Sequence, residues 1–471
     1  MPVHCDPAFA FHHFQREISV PARSWRSSRL WWLLLLGLAV LLRLGVMVSR
    51  PDQLTTDRDL YLGIAAELCE GHGYSTPGGV PTAATAFRPP LYPLLLVLTG
   101  RSRAGIAVLH LLLAVVMVLA TGLVAERLAG VADPGHGRIP RMLAGGIVAL
   151  DPLLLLYSGQ PMTETLCSCL TAVLLWWLTR SPRLPNRGAT IEGLIWGLCL
   201  LARPTYAVAF GLYVLGRVFL GDSTANEIHI SPTRQRGWRV WLPRWRVGRL
   251  TLVVTLGVIS PWAIRNWMVF GQPIVTTTHG GYTLWLANNP VYYSEVVEGH
   301  DAVWGGKSLI RWQAETNVEM DRLHIQGEVA KDQWLSGHAQ QFIRDNPWRF
   351  VRACLHRAGI FWSIFPGRSA DAGVPQPMLW IMAGGYSALW VGGIVALCRL
   401  RSRERWVSAW PAISLILGFF VVHLVYWTDV RMRAPIMPAV AVLIGMGLQP
   451  IRRKIGKSEI PAHPNSSTDA H

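Results

Sequence analysis

The sequence predicts an all-α fold, a polytopic bundle of about ten transmembrane helices carrying one extracytoplasmic insert. Three observations carry that expectation. Apolar residues fall into blocks long enough to cross about 30 Å of hydrocarbon at about 1.5 Å per residue. Only 15% of the residues are charged, against about 25% in an average soluble domain, so the chain lacks the polar surface that water requires. The formal net charge of +16 sits between the apolar blocks, where cytoplasmic Lys and Arg collect, and this placement argues against a nucleic-acid partner.

In chain order, 1–29 reads as a basic cytoplasmic tail. No small-residue cleavage pattern follows the first apolar block, so that block is expected to stay as an anchor. The predicted spans run near 30–49, 104–126, 141–158, 161–179, 189–203, 205–220, 249–266, 377–398, 407–427 and 434–450. With the N-terminus inside, alternate crossings bring Arg180 to Arg187, Arg234 to Arg249, Arg399 to Arg405 and Arg452 to Lys457 to the cytoplasmic face. The expected organisation is a catalytic transmembrane module over 30–266 with an outer loop at 50–103, an extracytoplasmic region over 267–376, further spans over 377–450, and a polar, disordered cytoplasmic tail over 451–471. A plasma (inner) membrane with both termini cytoplasmic is the expected location. Segment 350–365 is apolar but carries Arg352, His356 and Arg357, and it reads as an interfacial amphipathic helix rather than a span. The seven cysteines show no spacing typical of a zinc ribbon or a disulfide framework.

The chemistry-bearing residues concentrate at the outer ends of the spans. Asp57 and Tyr61, four apart, are predicted on one face of a helix over 57–70 lying on the outer surface, with Ile64, Ala65 and Leu68 as its apolar stripe. An acid in this position often only caps a helix, and that reading stays open for Asp57 and Asp59. Glu164 opens an apolar span after Pro161, either as a first-turn acid or as a site residue, and Asp151 poses the same question. Arg88, Arg203, Arg265, Arg431 and Arg433 reach the same predicted depth. One arginine there would simply snorkel, but several beside two or three acids suit a phosphate-bearing ligand, because a guanidinium fork grips phosphate oxygens.

The order of these pieces resembles the C-type (GT-C) membrane glycosyltransferases of the protein O-mannosyltransferase and aminoarabinose transferase superfamily, over nearly the whole chain. The matching segments are Asp57-Arg-Asp-Leu-Tyr61, Gly71-His-Gly-Tyr74, Phe87-Arg88-Pro-Pro-Leu-Tyr92-Pro93, Ser158-Gly-Gln-Pro-Met-Thr-Glu164, Leu201-Ala-Arg203-Pro204, Pro261-Trp-Ala-Ile-Arg265-Asn266, Gly280 through Asn288-Asn289-Pro290, and Arg431-Met-Arg433-Ala-Pro435. The resemblance implies a GT-C fold and transfer of a sugar from a polyprenyl-phosphate donor to a protein, lipid or glycan acceptor outside the cytoplasm. It implies that an acid of the first outer loop, Asp57 or Asp59, is the catalytic centre, with Glu164 as the second acid. Tyr61, Arg88, Tyr92, Arg203, Arg265, Asn288, Arg431 and Arg433 become contacts to the donor phosphate or substrate. Asp57 is the first choice for a general base, since an acceptor hydroxyl must lose its proton as the sugar C1–phosphate bond breaks. No cofactor is required by this reading, although Asp57, Asp59 and Glu164 form a candidate oxygen-ligand set for Mg²⁺ or Mn²⁺. Trp285, Asn288, Asn289, Tyr292 and Tyr293 are candidate sugar contacts. The competing expectations are a transporter or lipid-carrier flippase and a non-catalytic scaffold.

Overall fold

The computed structural model describes residues 22–78, 82–130, 137–180, 185–220, 241–299, 307–365 and 375–447. The tail up to residue 21, the first part of the basic run from Arg234, up to residue 240, and the tail after 447 lie outside the described residues. The bundle helices are α1 (Ala22–Ser49), α4 (Arg103–Gly130), α5 (Arg138–Leu150), α6 (Pro152–Ser158), α7 (Thr163–Leu178), α8 (Pro185–Ala202), α9 (Tyr206–Leu220), α10 (Trp241–Phe270), α15 (Gln376–Cys398), α16 (Arg403–Val425) and α17 (Met437–Gly447). Two short helices, α2 (Tyr61–Cys69) and α3 (Leu91–Leu98), belong to the connection between α1 and α4. The insert contributes α11 (Gly280–Ala287), a π-helical turn at Tyr292–Glu298, α12 (Lys307–Arg322), α13 (Glu328–Asp345) and α14 (Pro347–Phe361).

Among the described residues, six helical segments are long and apolar enough to cross a membrane. The pair α5 and α6 joins them when taken as one span bent by 51°. The chain is thus a multi-pass membrane protein. Each of the ten predicted spans overlaps a helix, but α8 is not among the segments apolar enough to cross, and α7 and α9 are shorter than a full crossing.

Helix α17 is the axis of the bundle, with all of its residues buried against α4, α5 and α15. Around it, small residues let backbones meet. A Cβ on Gly418 of α16 would stand 2.5 Å from the Ala209 Cα of α9, so only glycine permits that approach. The bend at Asp151 has a local cause, because Pro152 starts α6 and the Asp151 carboxylate accepts from Leu154 N at 3.0 Å as its N-cap. The carbonyls left open at the end of α5 are taken up by buried Arg43, which donates to Val148 O at 3.0 Å and Ala149 O at 3.1 Å.

The segment predicted as an interfacial helix forms α14, but one of its cations turns inward. Arg357 is fully buried and donates to Leu424 O at 2.6 Å, Ala287 O at 2.7 Å and Asn288 Oδ1 at 3.3 Å. Two of those carbonyls close helices α16 and α11, where the dipoles favour a cation. Arg357 therefore ties the insert to the bundle. Arg357→Met is expected to lower stability by about 3–5 kcal/mol, because it orphans buried carbonyls at two helix ends. A thermal-unfolding midpoint in detergent within a degree or so of wild type would contradict that assignment.

Candidate active site

The connection between α1 and α4 folds differently from the continuous helix predicted over 57–70. Leu60 takes a left-handed conformation (φ 64), so α2 begins only at Tyr61 and Asp57 stands before it rather than on its face. The carboxylate instead caps the helix: Asp57 Oδ2 accepts from Gly63 N at 2.7 Å. Gly63 makes this possible, since a Cβ there would meet Asp57 Oδ2 at 3.3 Å and the Pro77 ring at 2.5 Å. The other oxygen, Asp57 Oδ1, is buried with no hydrogen-bond partner. The apolar stripe of α2 faces inward, with Ile64 and Ala65 fully buried, so this helix packs on the bundle.

Asp59 sits between two guanidiniums. Its Oδ1 lies 3.2 Å from Arg88 Nη2 and its Oδ2 3.2 Å from Arg431 Nη1, while Arg88 Nε donates to the Asp59 carbonyl at 2.8 Å. Arg431 continues to Glu164 Oε1 at 4.0 Å, and Arg203 approaches the same oxygen at 3.7 Å. Glu164, in the first turn of α7, is 3% exposed, and the other four side chains are 14–18% exposed, so these contacts are shielded from water. Glu164 Oε2, Arg203 Nη1 and Arg431 Nε are buried without hydrogen-bond partners. Three cations thus face two directly paired anions, with Asp57 and Asp429 as further acids within electrostatic reach, and the unused guanidinium N–H groups are free to donate to an anionic guest.

Burial would push the Asp59 carboxyl up, but Arg431 and Arg88 outweigh it and hold its pKa below the usual aspartate value. A depressed folded-state pKa stabilises the fold above the unfolded value and loses that contribution as pH falls through the folded one. The stability advantage of wild type over Asp59→Asn is therefore expected to shrink below about pH 4, near the ordinary aspartate pKa. Melting curves at graded pH check this, and an advantage that grows on acidification would refute it.

Aromatic groups wall the cluster. Arg88 lies over the Tyr61 ring at 5.3 Å, and Tyr61 meets Tyr92 edge-on at 5.2 Å. Burial moves the Tyr61 phenol up to about 12, so it stays protonated at neutral pH. Tyr92 donates to His110 Nε2 at 2.8 Å, because His110 Nδ1 must donate to the Ser158 carbonyl at 2.7 Å. His279 escaped the sequence reading, being a lone histidine in a polar stretch. It packs on Phe87 at 4.2 Å and Tyr282 at 5.3 Å, and its Nδ1 is buried and unpartnered. Burial, helped by Arg88 and Arg431, holds His279 well below the usual histidine value and keeps it neutral.

The structure thus gathers Asp59, Tyr61, Arg88, Tyr92, Glu164, Arg203 and Arg431, with Asp57 within electrostatic reach of Tyr92. Three predicted contacts lie elsewhere, tied to backbone. Arg265 donates to Thr85 O and Tyr74 O, both at 2.7 Å. Arg433 donates to Phe361 O and Ser363 O under the Tyr386 ring. Asn288 donates to Leu284 O and Val425 O and accepts from Arg357. Among the predicted sugar contacts, Asn289 caps its own turn by accepting from Tyr292 N, and Tyr292 and Tyr293 are core residues of the insert.

The acids do not suit a divalent cation. Both Asp59 oxygens already face guanidiniums, and Asp57, Asp59 and Glu164 are not among the groups whose ligand atoms converge. Among the described residues, the set that does converge is Glu67, Glu70 and His72, at the end of α2.

No protein-family profile matches the sequence, and no curated protein does either. Solved structures do. One is the archaeal oligosaccharyltransferase AglB from Archaeoglobus fulgidus in complex with an inhibitory peptide and a dolichol-phosphate, at 13% identity and a TM-score of 0.46, covering 88% of this chain and 50% of that one. Another is ArnT from Cupriavidus metallidurans bound to undecaprenyl phosphate, at 12% identity and a TM-score of 0.40, covering 86% of this chain and 77% of that one. The chain spans about half the length of the oligosaccharyltransferase chains that it matches.

Proposed function

We propose that the protein is a membrane glycosyltransferase that moves a sugar from a polyprenyl-phosphate carrier to an acceptor on the extracytoplasmic side. The observation that carries this reading is the convergence of Arg88, Arg203 and Arg431, from three distant segments, on Asp59 and Glu164, with buried donor and acceptor atoms left unused. The order of motifs that resembles the C-type glycosyltransferases supports it, as do buried arginine N–H groups left without partners, which a leaving phosphate could accept from.

In the proposed reaction, Asp57 Oδ1 takes the proton of the acceptor hydroxyl. The acceptor oxygen bonds to C1 of the sugar as the C1–oxygen bond to phosphate breaks, and the phosphate leaves with the electron pair. Its growing charge meets preplaced guanidiniums in a shielded cleft, where they count for more than in water. Asp59, held anionic between Arg88 and Arg431, orients them and is a poor base. Neutral His279 and the protonated tyrosines offer contacts to sugar hydroxyls.

The test uses membranes containing the protein and a panel of radiolabelled polyprenyl-phosphate sugars. Label covalently attached to an acceptor supports the transferase. Label that crosses sealed proteoliposomes with no covalent product would identify a carrier instead.

A further inference from the structure

We propose that Glu328, in the first turn of α13, is a positioning residue that clamps the insert onto the first outer loop and so aims Arg88 and His279 at the acid cluster. This rests on the transferase reading for its functional consequence, but not for the clamp itself. The Glu328 carboxylate accepts from Ala86 N at 2.7 Å, from the Thr85 hydroxyl and from the Thr278 hydroxyl. Thr85, Ala86 and Thr278 are all buried. A carboxylate is acceptor-only, and here three donors from two separate loops fill it, which leaves it little capacity for substrate or metal. The two loops are also laced to each other, since Thr278 N donates to Ala86 O at 3.1 Å and Phe87 N to Thr85 Oγ1 at 2.9 Å.

The clamp matters because of where its ends fall. Ala86 is two residues from Arg88, and Thr278 adjoins His279. Successive Cα atoms are about 3.8 Å apart, so a shift at the knot reaches both side chains almost undamped. A second acid one helical turn on sets the angle of α13: Asp332 accepts from Gly281 N at 2.6 Å. A Cβ on Gly281 would stand 2.0 Å from the Asp332 carbonyl oxygen, so α11 and α13 meet without slack. Arg265 holds the far side of the same loop through Thr85 O and Tyr74 O, which gives this arginine a structural use away from the cluster.

The experiment compares purified full-length wild type with Glu328→Ala, Glu328→Gln, Arg88→Ala, the Glu328→Ala/Arg88→Ala double variant and, as a surface control on α12, Glu319→Ala. Amide exchange across 84–88 and 276–279 reads the clamp directly, and binding of undecaprenyl phosphate reads its consequence. Glu328→Ala is expected to speed exchange at Ala86 about tenfold or more and to weaken lipid-phosphate binding about tenfold, as loss of charged hydrogen bonds predicts. Glu328→Gln keeps an acceptor for Ala86 N and should recover most of both, which also covers the case of a poorly folding alanine variant. The double variant should bind no more weakly than Arg88→Ala alone, because the clamp acts through that arginine. Unchanged exchange in Glu328→Ala overturns the clamp, and fast exchange with wild-type binding overturns its positioning role. Failure of wild type to bind the lipid at all would instead overturn the transferase reading, while the exchange result still decides the clamp.

Discussion

Asp57→Asn is expected to reduce sugar transfer by about 10²–10⁴-fold with little change in expression or donor binding, the range for loss of a general base. The substitution is nearly isosteric. Its amide oxygen can still accept from Gly63 N, so the cap on α2 and the course of the loop survive. What it removes is the capacity of the second, unpartnered oxygen to take a proton. Asp59→Asn should behave differently, because it dissolves the pairs with Arg88 and Arg431 and so weakens donor binding more than it slows chemistry. The measurement is transfer of labelled sugar in membranes over a range of donor concentrations, with kcat and KM separated. Full turnover in Asp57→Asn would remove the base assignment. A pure kcat loss in Asp59→Asn would move the role to that residue.

The helical spans were legible because the bilayer demands long apolar runs, and those runs stand out in any reading of the chain. The cluster was half legible. Arginines and acids at span ends signal a polar site, but which of them converge depends on loop geometry that no periodicity encodes. The Leu60 turn is one such case: a non-glycine left-handed residue broke a helix that the 57–70 pattern predicted to be continuous. Arg357 is another, since its partners Ala287 and Leu424 lie about 70 residues away in either direction and are backbone carbonyls without a side-chain signature. Arg265, Arg433 and Asn288 looked like substrate ligands for the same reason. A buried arginine that satisfies backbone carbonyls and one that pairs with acids have identical sequence signals, and only the partners tell them apart.

Arg431→Ala is expected to lose both stability and activity, and a second substitution should separate the two. Arg431 lies 3.2 Å from Asp59 and 4.0 Å from Glu164, with its guanidinium 5.5 Å from the centre of the Trp427 ring. Without it, Asp59 keeps Arg88 and Glu164 keeps Arg203, so the expected cost falls below the about 3–5 kcal/mol of a fully orphaned buried charge. Transfer should fall by about 10²–10³-fold, the usual loss when a preplaced stabiliser of developing charge is removed. Arg431→Lys keeps a cation, and one ammonium can replace the single Nη1 that faces both acids, but it lacks the planar fork that grips phosphate oxygens, so it should recover stability better than transfer. Adding Glu164→Gln to Arg431→Ala removes a buried acid left with Arg203 as its one arginine and should restore part of the melting temperature while transfer stays low. If the double variant regained transfer in proportion to its stability, Arg431 would be a structural counter-ion only, and its unpartnered N–H would no longer point to a phosphate.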